Sequence, residues 1–309
     1  MIAGPWLGEV GFEILYWVPF LRWAESTAGL DPSRVVALSR GGPSSWYADL
    51  AARYTDAFDL VTVDEFRAGN EARRREIGEQ KQVRPTSFDA DIMTRAREAR
   101  GLGDAHQLHP RLMYRLMQPY WWKHAPIEWA ERHTSFSMIS APSLPPALGV
   151  APREYIAVKF YFNECFPSTP ETRAFVVETF ERLSAVAPVV SLSTGLALDD
   201  HEGLSGDAGG RVRTVGAVAS ARDNLAVQTA VVANARVFVG TYGGFSYLAP
   251  FCGVPALGIF ADANGFDRAH LDLARRAFTA IGSPGLTTAD MTGSAARAVT
   301  AFADRNARA

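Results

Sequence analysis

The residues best suited to chemistry lie between Arg236 and Phe260, in RVFVGTYGGFSYLAPFCGVPALGIF. The apolar run Val237-Phe238-Val239 reads as a buried strand. It ends in Gly240-Thr241-Tyr242-Gly243-Gly244, and a helix-like run opens at Phe245. Gly253 stops that helix, and Val254 to Phe260 reads as the next strand. A strand feeding a glycine-rich turn and then a helix N-terminus makes an anion site. The first backbone N–H groups lack intrahelical partners, and the positive end of the helix dipole faces outward. Glycines allow φ > 0 and let a phosphate approach the backbone. The ligand this implies carries phosphate, as a nucleotide or a nucleotide-sugar does. Ordinary strand-to-helix turns with two glycines also bind nothing, so the turn alone leaves both readings open. It is not a P-loop, because no Gly-Lys-Ser/Thr follows.

Other polar residues stand out against apolar surroundings. Lys159 interrupts Ile156-Ala157-Val158-Lys159-Phe160-Tyr161, and a lysine in an apolar strand must reach water or a partner. Near the N-terminus, Gly8-Glu9-Val10-Gly11 follows the first strand and opens a helix, with Glu13 four residues after Glu9. Asp89-Ala90-Asp91 spells D-x-D but follows no convincing strand, and carboxylates are welcome at helix starts. The six histidines are scattered and set up no metal site. Trp121, Trp122 and Trp129 have the chemistry to stack a sugar, although aromatics in a helical run more often build core.

The elements that must position these residues form two α/β halves. In the first, strands are expected over Met1 to Trp6, Arg34 to Ser39 and Phe58 to Val63, and helices over Glu13 to Ser26 and Trp46 to Tyr54. A charged helical region runs to about Arg100, and Leu112 to Trp122 is a further helix. Arginines between Arg67 and Arg100 alternate with glutamates, which suits a solvated helix face. Pro142, Pro145, Pro146 and Pro152 make 141–152 a poor helix or strand, so it reads as the interdomain linker. The second half sets strands at Tyr155 to Phe162, Val189 to Ser193, Arg211 to Val215 and 237–239, with helices over Thr169 to Ala187 and Asn224 to Ala235. Alternating strands and helices imply parallel sheets with right-handed crossovers. The expected fold is therefore two doubly wound, Rossmann-like domains, 1–145 and 153–309, with a cleft between them.

Composition bounds the function. The 309 residues are 48% apolar with a net charge of −2, which suits two cored domains and argues against a nucleic-acid partner. Two cysteines, Cys165 and Cys252, make neither a disulfide framework nor a zinc site, and a cytoplasmic, reducing location is expected. The N-terminus shows no basic leader, and no apolar stretch reaches the ~18 residues a membrane span needs. Oligomeric state is not specified by any feature of the sequence.

On three features the chain resembles the GT-B glycosyltransferases, in the order seen in heptosyltransferases and, more loosely, in bacterial fucosyltransferase-like enzymes. They are Gly8-Glu9-Val10-Gly11 after strand one, Thr241-Tyr242-Gly243-Gly244-Phe245-Ser246, and the run from Leu248-Ala249 to Gly253-Val254-Pro255. The resemblance implies an N-terminal acceptor domain, a C-terminal nucleotide-sugar donor domain, and last helices that pack back on the N-terminal domain. Carried over by position, the amides around Thr241, Tyr242, Gly243 and Gly244 hold the donor diphosphate, with hydroxyls of Thr241 and Ser246 as further donors. Lys159 supplies a cation, Tyr161 lies beside it, and Gly8 and Gly11 line the other glycine loop. Thr194, in Ser193-Thr194-Gly195, and Asp199 to Glu202 lie where a ribose or base could be touched; a solvated loop is the simpler reading for the latter.

Sugar transfer must stabilise a leaving diphosphate and remove a proton from an acceptor hydroxyl. Pre-aimed amides and Lys159 are expected to do the first without a metal or other cofactor. Glu9 is the expected base, and Glu13 is the second candidate, with helix capping as its competing role. The implied reaction is a metal-independent, inverting transfer from a nucleotide-diphosphate sugar to a carbohydrate or other hydroxyl acceptor. A nucleotide-sugar epimerase of the same fold would need acid/base residues in the second half, and no convincing set is seen. A non-catalytic binding module would keep Gly243-Gly244 without needing Glu9.

Overall fold

Alternating apolar strands and helices build two separate parallel sheets. The structure is a computed structural model that describes residues 1–79, 81–196, 198, 203–204, 211–291 and 295–307. The chain divides into two compact units, Met1–Ser137 with Ala221–Ala226, and Met138–Ser220 with Val227–Ala309.

In the first unit β1 (Ile2–Ala3) leads into one continuous helix, formed by α1 (Val10–Phe12), a π-helical segment (Glu13–Trp17) and α2 (Val18–Ala28). β2 (Val36–Ser39), β3 (Arg53–Asp56), α3 (Val63–Ile77), α4 (Ser87–Arg100), β4 (Gln107–Leu108), α5 (Arg111–Trp121) and α6 (Ile127–Arg132) follow. The strand order is β3-β2-β1-β4, with Ile2 in register with both Val36 and Gln107. Ile2, Val36, Leu38, Phe66, Phe88 and Ile92 build its core.

Two expectations in this unit fail. The helix over 46–54 is only a 3-10 turn, Ser44–Tyr47, and the third strand is Arg53–Asp56 rather than 58–63. Asp56 ends that strand by accepting the Phe58 N–H at 2.9 Å. Thr62 and Glu65 then form a reciprocal capping box that starts α3, drawing Val63 into a helix. The arginine-rich region forms α3 and α4 with exposed pairs such as Arg95–Asp91. The two helices approach closely at Gly69, where an added Cβ would lie 2.3 Å from the Phe88 ring.

The second unit runs β5 (Ile156–Tyr161), α7 (Pro170–Val186), β6 (Val189–Ser191), β7 (Gly203–Leu204), β8 (Val212–Thr214), α8 (Asn224–Ala233) and β9 (Val237–Thr241). α9 (Gly244–Phe251), β10 (Ala256–Phe260), α10 (Arg268–Ala280), β11 (Leu286–Asp290) and α11 (Ala295–Ala307) complete it. Its parallel sheet has the order β11-β10-β9-β5-β6-β8, and β7 pairs antiparallel with β5. β5 and β9, buried on both faces, are almost wholly apolar, as central parallel strands must be.

The last helices belong to the second unit. Val299, Phe302 and Ala303 of α11 enter the core formed by Phe175, Phe180 and Leu183 of α7 and the strands beneath. The amphipathic face of α11 finds its apolar partner on its own sheet. The proline-rich 141–152 stretch also belongs to the second unit. Asn234 Nδ2 donates to Pro142 O at 2.9 Å, and Arg213 Nη1 donates to Leu148 O at 2.6 Å. Among the described residues no helix is long and apolar enough to cross a membrane.

Candidate functional site

The order of the second sheet sets the site. The chain builds outward from β5 through β6 to β8, then returns to lay β9 on the other side of β5 and continues through β10 to β11. β5 and β9 therefore flank a topological switch point, where ligands of open α/β sheets bind beyond the strand C-termini. Tyr161 ends β5 and Thr241 ends β9. The glycine turn and the start of α9 lie just beyond.

Each side chain of that turn has a definable task. Thr241 is fully buried; its Oγ1 accepts from the Tyr161 N–H at 3.1 Å and donates to Tyr161 O at 2.9 Å. Its hydroxyl ties β5 to β9 and is engaged by backbone, contrary to the expectation of a free donor. Ser246 Oγ accepts from the Gly243 N–H at 3.0 Å and donates to Gly243 O at 2.7 Å, so it braces the turn from within the helix. The Tyr242 N–H is held by Ile259 O at 2.8 Å, and its hydroxyl accepts from Tyr247 at 2.5 Å. By helix geometry the N–H groups of Gly244 and Phe245 open α9 without intrahelical acceptors.

Gly243 is required on two grounds. Its φ is +149°, and an added Cβ would lie 2.2 Å from the Tyr161 hydroxyl oxygen. Tyr161 thus borders the turn directly. Lys159 arrives from β5: its Nζ lies 4.2 Å from the centroid of the Phe245 ring and donates to Gln228 Oε1 at 2.6 Å. The structure so gathers Lys159, Tyr161, Thr241, Tyr242, Gly243, Gly244 and Ser246 at one switch point. Thr194 lies one strand away, after β6, where its Oγ1 accepts the Leu196 N–H at 3.2 Å. Asp199 to Glu202 fall outside the described residues.

The first unit has its own switch point, between β1 and β4. The loop after β1 carries Gly8 and Glu9. Glu9 is exposed at the N-cap of α1, and Gly11 lies inside the first helical turn. The loop is held from three sides. Arg40 Nη2 donates to Gly8 O at 2.7 Å, Gln82 Oε1 accepts the Leu7 N–H at 2.9 Å, and Gln82 Nε2 donates to Pro5 O at 2.9 Å. Gln82 also reaches Asp89 at 2.8 Å. Nothing in the sequence marked Gln82, which lies 75 residues from Leu7 along the chain.

Glu13 is not a helix cap. It is fully buried in the π-helical segment, where Ser39 Oγ and Tyr47 OH each donate to its Oε1 at 2.5 Å. Among the described residues its Oε2 has no hydrogen-bond partner, and neither has Nε of Arg40. Burial pushes the Glu13 carboxyl up to about 7, against the opposing hydrogen bonds and the Arg40 charge. Asp56, whose Oδ2 accepts the Gly42 N–H at 2.6 Å, is likewise raised by burial.

The other candidates resolve into structure. Asp89 accepts from Thr86 as half of a capping box, while Asp91 pairs with Arg95, so the two carboxylates of D-x-D are separately engaged. Gly41 and Gly42 receive residues 221–226: Leu225 N–H donates to Gly41 O at 2.8 Å, and Cβ atoms there would meet Asn224 and Arg222. Trp121 packs edge-on against Phe12 and Tyr16, and Trp129 donates to Leu116 O, whereas Trp122 is exposed.

No protein-family model and no curated protein sequence matches the chain. Solved structures do. The ADP-heptose lps heptosyltransferase II of E. coli superposes with a TM-score of 0.50 at 11% identity, over 99% of this chain and 98% of that one. E. coli heptosyltransferase WaaC with ADP gives 0.48 at 13% identity, over 99% and 98%. A family 9 glycosyl transferase from Veillonella parvula gives 0.45 at 14%, over 94% and 85%. At such identities the likeness is one of architecture, and the architecture of this chain is the GT-B fold of the heptosyltransferase type.

Proposed function

We propose that the chain is a glycosyltransferase that moves a sugar from a nucleotide-diphosphate donor to a hydroxyl acceptor. The observation that carries this is the switch point between β5 and β9. There the first-turn amides of α9, which have no intrahelical acceptors, a glycine whose Cβ position is blocked, and the Lys159 ammonium over Phe245 come together. Oriented N–H groups and a cation are what a leaving diphosphate requires, and their pre-aimed placement adds no reorganisation cost at the moment of transfer. Thr241 and Ser246 serve by bracing the turn, and Tyr161 by bordering it. The second unit is assigned the donor and the first the acceptor.

Glu9 is assigned as the base. It is the exposed carboxylate of the braced loop after β1, so it has access to an acceptor hydroxyl, while Glu13 has none. The reaction proposed is inverting and independent of metal, with Lys159 and the amides carrying the leaving charge. Since the structurally similar E. coli enzyme is named for ADP-heptose, that sugar nucleotide and its nucleoside diphosphate are the first donors to test.

The test is a thermal-shift screen of nucleoside diphosphates and their sugars, followed by turnover with the donor found. A ligand at 100 Kd raises stability by about 2.7 kcal/mol. Lys159→Met should weaken that donor at least tenfold. Glu9→Gln should lower turnover about 10²–10⁴-fold with donor affinity kept, and EDTA should leave wild-type turnover unchanged. Near-normal turnover in Glu9→Gln removes the assignment of the base. Loss of activity in EDTA, restored by magnesium, removes the metal-independent mechanism.

A further inference from the structure

Helix α5 has two faces of different chemistry. Met113, Tyr114, Met117 and Tyr120 are buried against the first unit. At 100° per residue, Arg111, Leu112, Arg115, Leu116, Pro119 and Trp122 fall on the other side. Leu112 is 44% exposed, and Trp122, at 61%, is the most exposed large apolar side chain among the described residues. Arg111, Arg115 and Lys123 are exposed as well, and among the described residues none of the three has an ion-pair partner. No Asp or Glu occurs between Asp104 and Glu128. Several other surface arginines of this unit do pair with carboxylates, as at Arg67–Asp64, Arg75–Glu71 and Arg95–Asp91.

The end of the helix is held firmly. The N–H groups of His124 and Ala125 both donate to Pro119 O, at 2.8 and 2.9 Å, and Lys123 takes a left-handed φ of 60°. The turn therefore presents Trp122 and Lys123 at fixed positions, as a docking element would.

We infer that this face of α5 docks on the surface of an anionic lipid bilayer. Cations unpaired within the protein meet complementary charge there, the arginine and lysine stems lie along the apolar boundary, and an indole is at home at headgroup depth. A second copy of the chain fits poorly, since an isologous contact would set the same three cations against one another. A nucleic acid would match the charge but leave Leu112 without an apolar counterpart. The inference is independent of the assigned reaction, because it concerns binding alone.

The experiment is co-sedimentation of the full chain with vesicles of 30% phosphatidylglycerol in phosphatidylcholine, and with vesicles of phosphatidylcholine alone. Sedimentation velocity without vesicles runs in parallel. Wild type should bind the anionic vesicles, more weakly in 0.5 M salt, and leave the neutral ones. Each basic residue near an anionic surface contributes about fivefold in partitioning, so Arg111→Gln/Arg115→Gln should bind about thirtyfold more weakly. Trp122→Ser should also reduce binding. The substituted side chains are exposed, so unchanged thermal midpoints establish that the variants fold. No binding by wild type, equal binding by all three proteins, or a Trp122-dependent dimer without vesicle binding would each overturn the inference.

Discussion

Substituting Glu13 by glutamine tests the reading of the buried carboxyl. Glu13 has no exposed surface, and burial pushes its pKa from the ordinary 4.5 to about 7. A carboxyl whose folded pKa is raised holds its proton more tightly in the fold than in the unfolded chain. Its stabilising contribution is complete below pH 4.5 and is lost as pH rises through 7. Over that whole window the loss is about 3 kcal/mol, and between pH 5 and pH 8.5 it is about 2–3 kcal/mol. Glutamine keeps an acceptor oxygen for Ser39 Oγ and Tyr47 OH but carries no charge at any pH. Wild type and Glu13→Gln should therefore have similar stability near pH 5, the variant losing about 1 kcal/mol for its buried amide donors. By pH 8.5 the variant should be the more stable protein. Asp56 titrates in both, so the difference between them isolates Glu13. All seven tryptophans lie in Met1–Ser137, so urea unfolding followed by tryptophan fluorescence reports on the first unit alone. Parallel stability curves from pH 5 to pH 8.5 would refute the argument, because Glu13 would then be ionised in the fold throughout.

The turn of the second unit is open to equally direct tests. Gly243→Ala should lose stability through both its φ of +149° and the contact with the Tyr161 hydroxyl, and Tyr161→Phe should restore part of the loss in the double variant. An equal loss in both backgrounds, by thermal circular dichroism, would show that the hydroxyl is not the obstacle. Thr241→Val removes both hydrogen bonds to the Tyr161 backbone and should cost about 2–4 kcal/mol. Nucleoside diphosphate affinity, measured by calorimetry well below the melting point, should change less than tenfold in that variant. A larger fall would make the hydroxyl a ligand contact.

The sequence by itself determined the strands that are buried on both faces and the turn between β9 and α9. Continuous apolar runs such as Ile156–Tyr161 exclude other placements, and the pair Gly243-Gly244 announces a backbone that side chains cannot follow. Lys159 was legible for the same reason, as one charge in an apolar strand. Local signals also misled. Phe58 to Val63 looks like a strand, yet the Asp56 and Thr62 caps turn the chain there. What tertiary structure decided was the duty of each polar atom. Thr241 and Ser246 read as ligand donors until their backbone partners are seen, since a hydroxyl's acceptor is set by what folds against it. Glu13 read as a second candidate base or a cap, because the ordinary preference for acids at helix starts is local. It is buried beside Ser39 and Tyr47, 26 and 34 residues away, and that burial raises its pKa against the hydrogen bonds the two residues donate. Gln82 gave no signal at all, because its hold on the Glu9 loop exists only once β1 and the 81–89 segment are packed together.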